Sequence, residues 1–340
     1  MKNFIYFALA MLFMVILLPL AIVGSQPKQE DSVKTPEKKE EKKDAVTIKV
    51  YVSQENKLVQ MELEEYVKGV VAAEMPADFE PEALKAQAAA ARTYAYARMK
   101  KIYAPKDDSH RGADICTDSA HCQAWSDKKN LMKKWDAEAN DCWAKINFAV
   151  EATRGIIILY GERIINPVFH SNSGGRTENS EEVWEGTAVP YLKSVFSAGE
   201  DVTTEFKSEV VMKLKDFNNT LKREYPTLKL STANINDFSK QVKVAEYSEG
   251  GRVKILKVGN VNIKGTDFRR LLSLRSTNFN IKTEGKDSIR ITTYGYGHGV
   301  GMSQWGANYM AKTGFGFQDI VKYYYQGVTL QSIAQYEKSR

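Results

Sequence analysis

Two short stretches of this 340-residue chain concentrate side chains able to do chemistry. In AAEMP, Glu74 stands between small apolar residues and a Met-Pro pair. A carboxyl in that setting is poorly solvated, which raises its pKa and lets it hold a proton near neutral pH, as a general acid toward a glycosidic oxygen must. A surface glutamate at a helix end fits the same spacing. In HRGADICTDSAHC, residues 110–122, lie two of the three cysteines and two of the four histidines. His110, Cys116 and Cys122 form a regular H-x5-C-x5-C with His121 as a spare donor, a set that zinc takes tetrahedrally. A Cys116–Cys122 disulfide in a short loop is an alternative that an oxidising compartment permits. A Cys122 nucleophile served by His121 is a third, weakened because adjacent side chains rarely point together and no usual G-x-C context is present. Cys142, in the helical segment DCWAKINFAVEAT, reads as a small buried hydrophobe.

Other polar stretches offer ligand contacts. Arg92 and Tyr96 lie four apart and share a helix face. They suit either substrate contact or a structural ion pair. FHSNSGG, with His170, Ser171, Ser173, Gly174 and Gly175, is a small-residue loop suited to close approach by a sugar or phosphate, or to a tight turn. GYGHGVGMSQWGA carries His298 among five glycines and lacks the spacing of a dinucleotide fingerprint. Its glycines let backbone pass close to a ligand or another segment. Glu178 and Glu185 are the acids that folding could bring toward Glu74.

The elements that must position these residues follow from periodicity. TIKVYVSQENKL alternates as a strand and a polar turn. LEEYVKGVVAAEMP has the apolar spacing of an amphipathic helix that Pro76 ends, and FEPEALKAQAAAARTYAYARMKK starts a second, alanine-rich helix at Pro81. Glu74 therefore stands on the corner between them. TRGIIILYGERIINP predicts two strands around Tyr160-Gly161-Glu162. From about 200 to 283 the character changes to a helix, a hairpin turning at Gly250-Gly251 and a short basic helix, an inserted α+β subdomain. The remainder, 45–199 with 284–340, forms the core. The fold class expected is α+β, mixed helices with antiparallel sheet.

Ahead of it, residues 4–24 are uncharged and long enough to span a bilayer as a helix, so residues 1–24 read as an uncleaved signal anchor. Residues 25–44 hold six lysines and six acids and read as a disordered charged tether. The formal net charge of +6 is mild and unclustered, suited to an anionic wall or membrane surface rather than to nucleic acid. A long domain behind the first span is usually translocated, which places the folded part outside the cytoplasm.

EMPADFEPEALKAQAAAARTYA, FHSNSGGRTENSEEVWEG, PYLKSV and GYGHGVGMSQWGA, in that order behind one hydrophobic segment, resemble the stage II sporulation protein D and amidase-enhancer family. The resemblance runs from about Val46 to Leu330. It implies a peptidoglycan lytic transglycosylase acting in engulfment during endospore formation, on glycan strands stripped of stem peptides. It implies work beside a cell-wall amidase and a membrane scaffold protein, at the septal membrane. By the same resemblance Glu74 is the catalytic acid, and Arg92, Tyr96, Tyr191 and Lys193 fall on family positions in the substrate site. His121, the two histidines His170 and His298, and the serines and glycines of the polar loop complete the expected glycan-facing set. Some members of the family bind zinc through a His/Cys/Cys set, here His110, Cys116 and Cys122. A lytic transglycosylase needs one carboxyl, because the substrate's own C6 hydroxyl is the nucleophile, whereas an ordinary glycosidase uses two. The competing expectation is a non-enzymatic wall-binding module that activates an amidase.

Overall fold

The computed structural model describes residues 45–103, 110–184, 186 and 188–340. The expected anchor and tether lie outside the described residues, as does Glu185. Among the described residues no helix is long and apolar enough to cross a membrane. Residues 45–340 form one unit of mixed helices and small, mainly antiparallel sheets.

Strands β1 (Thr47–Val52) and β2 (Lys57–Glu62) pair as an antiparallel hairpin. Strand β3 (Ile115–Cys116), from the His/Cys stretch, adds parallel to β1. Helix α1 (Leu63–Glu74) stops where Met75 turns extended ahead of Pro76, so Glu74 is its last helical residue. Helix α2 (Pro81–Met99) starts with proline in its first turn, where the missing N–H costs nothing. Its alanines from Ala83 to Ala97 are buried all round, which lets α1, α4 (Ala139–Ala152) and later elements pack closely on it, while α3 (Lys128–Trp135) packs on α4 and α1. Strands β4 (Ile156–Tyr160) and β5 (Arg163–Ile164) form the expected hairpin, and β6 (Phe169–His170) and α5 (Ser180–Val183) follow.

A second hydrophobic cluster, separate from the first, starts at Leu214. It is built from β7 (Lys207–Lys213), α6 (Leu214–Glu224), α7 (Ile235–Gln241), β8 (Val242–Tyr247), β9 (Val253–Val258), β10 (Val261–Lys264), α8 (Gly265–Leu271), β11 (Phe279–Glu284) and β12 (Ser288–Tyr294). Two antiparallel sheets, ordered β10-β9-β8 and β11-β12-β7, flank its phenylalanines. Ile289 and Ile291 of β12 are buried in this cluster, so it extends past the expected return to the core at 284. The chain then rejoins the first cluster through β13 (Met302–Ser303), parallel to β6, and α9 (Gln304–Lys312). Helix α10 (Phe317–Tyr324), β14 (Val328–Ser332), antiparallel to β4, and α11 (Ile333–Lys338) close it.

Candidate active site

Two segments distant in sequence converge on Glu74. The Ala124 backbone N–H donates to Glu74 Oε1 at 2.7 Å. The Gln304 carboxamide, at the start of α9, lies near enough to the same carboxyl to pull its pKa down, and its buried Nε2 makes no hydrogen bond among the described residues. Helix α9 is seated on this corner by Trp305, edge-on to Phe79 with ring centroids 4.7 Å apart, and by Asn308 Oδ1, which accepts from Glu80 N at 2.9 Å. Burial pushes the Glu74 carboxyl above the ordinary carboxylate range, by more than the Ala124 amide and Gln304 pull it down. Among the described residues no arginine, lysine or second carboxylate contributes to its shift. Glu74 is therefore a lone, half-buried acid that retains its proton to higher pH than a solvated glutamate.

The segment that carries Ala124 is the end of the His/Cys stretch. It lies across α1 at Gly69, where a Cβ would come within 2.2 Å of Trp125 Nε1. That contact requires glycine inside a helix. Ahead of it, His110 Nε2, Cys116 Sγ, His121 Nδ1 and Cys122 Sγ all lie within 4.8 Å of one another. His110 Nε2 is 3.1 Å from both His121 Nδ1 and Cys122 Sγ, and His121 Nδ1 is 3.4 Å from Cys116 Sγ and 3.5 Å from Cys122 Sγ. Four donors with metal–ligand bonds of about 2.0–2.3 Å at tetrahedral angles stand roughly 3.4–3.8 Å apart, so the spacing fits zinc. The hydrogen bond from Cys116 holds the Cys122 thiol down to about 6 and pushes Cys116 up, so one thiolate is available at neutral pH. All three cysteines are free thiols, and Cys142 is half-buried on α4 at the edge of the first cluster. His121 is thus placed with the metal-type donors rather than on a glycan-facing surface.

Several other expected contacts are spent on the fold. Arg92 is fully buried and clasps Glu64 through Nε and Nη2 at 2.7–3.0 Å, while its guanidinium also donates to the carbonyls of Ile156 and Val150. Glu64 sits near the opposite end of α1 from Glu74, about 15 Å away at 1.5 Å per residue. The structure therefore gives Arg92 the ion-pair role and removes it from the substrate face. Tyr96, one turn further along α2, is buried and donates to Glu337. Tyr191 is buried, its hydroxyl accepting from Asn166 N at 3.0 Å, and Lys193 pairs with Glu181 at 2.7 Å.

The polar loop is tied down by a residue the sequence did not single out. Buried Glu200 accepts from Ser173 Oγ and Ser197 Oγ at 2.7 Å, from Gly175 N at 3.1 Å and from Ser303 Oγ. Gly174 and Gly175 take positive φ, and a Cβ on Gly174 would meet the Tyr294 backbone. Ser171 turns its carbonyl to Trp305 N. His170 Nδ1 is 3.1 Å from Val300 O, and its ring packs at a tilt against His298 with centroids 5.5 Å apart. Burial, and then the nearby arginines, push His298 down to about 4, so it is neutral and accepts from Val300 N. Glu178 is buried near Ser248 and Gly250 rather than beside Glu74. Gln304 and the Ala124 amide were missed because nothing in their local sequence marks them; only the dense GYGHGVGMSQWGA motif flagged that region.

Comparison with known proteins matches this frame. The family model described as "Stage II sporulation protein" covers residues 51–160, and a "Domain of unknown function" covers residues 196–301. Stage II sporulation protein D of Bacillus subtilis (strain 168) is 39% identical over 84% of this chain and 79% of its own length. That of Bacillus amyloliquefaciens is 34% identical over 97% and 96%. The amidase enhancer of Bacillus subtilis is 28% identical over 78% of this chain and 40% of its own length. The chain belongs to the stage II sporulation protein D family.

Proposed function

We propose that this chain is a peptidoglycan lytic transglycosylase that cleaves peptide-stripped glycan strands during engulfment, outside the cytoplasmic membrane and held to it by its first 24 residues. The observation that carries the reading is the isolation of Glu74: one half-buried carboxyl, raised by burial, with no charged neighbour contributing among the described residues. The protonated acid gives its proton to the glycosidic oxygen leaving C1 of muramic acid. The resulting carboxylate takes the proton of that sugar's C6 hydroxyl, whose oxygen closes on C1 as a 1,6-anhydro ring. No water is consumed, and one carboxyl serves both steps. The Ala124 amide, holding Oε1, fixes the orientation of the acid through this cycle. Gln304 Nε2 is the donor placed to steady the carboxylate once its proton has left.

His110, Cys116, His121 and Cys122 would hold zinc, with His121 as fourth ligand beyond the three expected from the sequence. A closed four-ligand site supplies a structural cross-link rather than an open coordination position. Its function here is to seat residues 123–126 on α1, and with them the Ala124 amide. The amidase-enhancer relative supports a partnership with a cell-wall amidase; a membrane scaffold protein as a further partner rests on the family resemblance.

Product analysis on peptide-free glycan tests the reading. Fragments with 1,6-anhydro ends, one water lighter than hydrolysis products and absent with Glu74→Gln, are expected. Binding of glycan with no fragments released would make the chain a wall-binding activator instead, and loss of activity on alkylating Cys122 with none on chelation would make it a thiol hydrolase.

A further inference from the structure

Beyond the Glu74 corner, the face where β9, α8 and the 294–300 turn meet α5 carries two adjoining hollows of 190 and 560 Å³ that share Thr266. Trp184 lines the first and is 43% exposed; Tyr296 lines the second and is 47% exposed. The His298 ring packs on Trp184 at 5.1 Å between centroids, and Tyr296 lies two residues before it in the chain. Exposed aromatic faces at both ends of a polar groove suit sugar rings, which offer apolar C–H faces and polar edges.

The charges in the groove are unbalanced. Its acids are already engaged: Glu181 with Lys193, Glu182 with Lys254, and Glu178 with Ser248 Oγ and the amides of Asn179 and Gly250. Of its arginines, Arg270 pairs with Glu224 and Asp267, whereas the other three have no carboxylate in ion-pair range among the described residues. Arg252 is 1% exposed, donates through Nη2 to Ser173 O at 2.6 Å, and leaves buried Nε and Nη1 without partners among the described residues. Half-buried Arg269 donates only from Nε, to Leu274 O at 3.3 Å, and Arg275 lies over the Tyr296 ring at 5.3 Å. Burial disfavours the Arg252 charge most; Glu178 and Glu200 offset this from a distance, and Arg269 disfavours it, as it does that of His298. Arg269 and Arg275 have no carboxylate in ion-pair range among the described residues, so a bound anion would offset their mutual repulsion; guanidinium forks match carboxylate and phosphate oxygens in pairs.

We infer that Arg252, Arg269 and Arg275, with Trp184 and Tyr296, form a second glycan-binding groove that recognises the carboxylate of a sugar acid. The ligand's identity rests on the proposed function. Muramic acid bears a lactyl group whose carboxyl is an uncharged amide while a stem peptide is attached and a free carboxylate once it is removed. A groove of this charge distinguishes stripped from unstripped strands away from the bond being cut. It also gives the unit matched by the domain of unknown function, residues 196–301, a ligand.

The test measures binding by the full chain in mild detergent, carrying Glu74→Gln to prevent turnover. The probes are peptide-free glycan, the same glycan with its carboxyls reduced to alcohols, and poly(glycerol phosphate). Reduction of the carboxyls is expected to weaken binding about tenfold or more, the scale of a lost charge-assisted hydrogen bond. Arg269→Gln/Arg275→Gln, with melting temperature unchanged, is expected to bind both glycans equally weakly. Equal binding of native and reduced glycan by the parent overturns the proposal whether or not the double variant folds, as does discrimination that survives in a folded double variant. Displacement of glycan by poly(glycerol phosphate) together with equal binding of the two glycans would assign the groove to a phosphate polymer and overturn it too. If the unsubstituted chain releases no anhydro ends yet binding still depends on carboxylate and arginine, the groove stands and the proposed reaction falls.

Discussion

Arg92 offers the sharpest separation between a binding role and a structural one. Its guanidinium makes contacts of 2.9, 3.0 and 2.7 Å to Glu64, whose side chain is 5% exposed, while that of Arg92 is fully buried. Glu64 also accepts from Gly155 N at 3.0 Å, so the pair joins α1, α2 and the start of β4. Truncating Arg92 to Met leaves a buried carboxylate without its counter-charge, which costs about 3–5 kcal/mol. For a unit of this size each kcal/mol lowers the melting temperature by about 2–4 °C, so a fall of roughly 6–20 °C is expected. Glu64→Leu alone should be comparably damaging, because it strands the guanidinium. The double substitution should recover much of the loss, since a buried ion pair replaced by apolar groups of similar volume is often near neutral. Urea denaturation of the four proteins in a double-mutant cycle, with KM and kcat for glycan measured on each folded species, decides the matter. A near-native melting temperature for Arg92→Met, with a large rise in KM, would refute the structural role and return Arg92 to the substrate site.

Glu74→Gln carries a stability signature as well as a catalytic one. The folded-state pKa is raised, so the folded chain binds the proton more tightly than the unfolded chain, and stability falls as pH rises from the ordinary carboxylate range through the raised value. Urea midpoints from pH 4 to pH 8 should show the variant gaining on the parent as pH rises, with the difference vanishing at the acid end. Gly69→Ala, favourable by helix propensity alone, should instead destabilise by about 1–3 kcal/mol and depress kcat, because its Cβ meets Trp125 and displaces the segment bearing Ala124; thermal melts and turnover on glycan check both. Gln304→Leu, similar in volume, should lower kcat with little change in melting temperature. Metal analysis should give one zinc per chain, bound by two cysteines and two histidines. His121→Ala should lower zinc affinity and, through the displaced loop, activity; unchanged zinc affinity would return the site to three ligands.

The elements around Glu74 were legible because their signals are local. Pro76 cannot continue α1, Pro81 opens α2, and the apolar residues of each helix recur at the spacing of one face. A carboxyl at that corner, beside a Cys/His-rich stretch, can be read from neighbouring residues alone. The hairpins at Gly161 and Gly250-Gly251 were legible for the same reason. Partners were not. Arg92 has the same residue type and spacing whether it meets a sugar or a buried glutamate, and only the packing of α1 on α2 sets Glu64 against it. Tyr96 and Lys193 likewise look available until Glu337 and Glu181 arrive from elsewhere in the chain. The membership of the His/Cys cluster depended on the turn that brings His121 Nδ1 inward beside Cys122, which a regular ligand spacing does not reveal. The sequence by itself determined where an acid and a set of metal-type donors would lie, because helix ends and residue types are local properties. Tertiary structure alone decided which groups touch them, because Ala124, Gln304, Glu64 and Glu200 reach their partners through long-range packing, and no periodicity encodes a contact across the core.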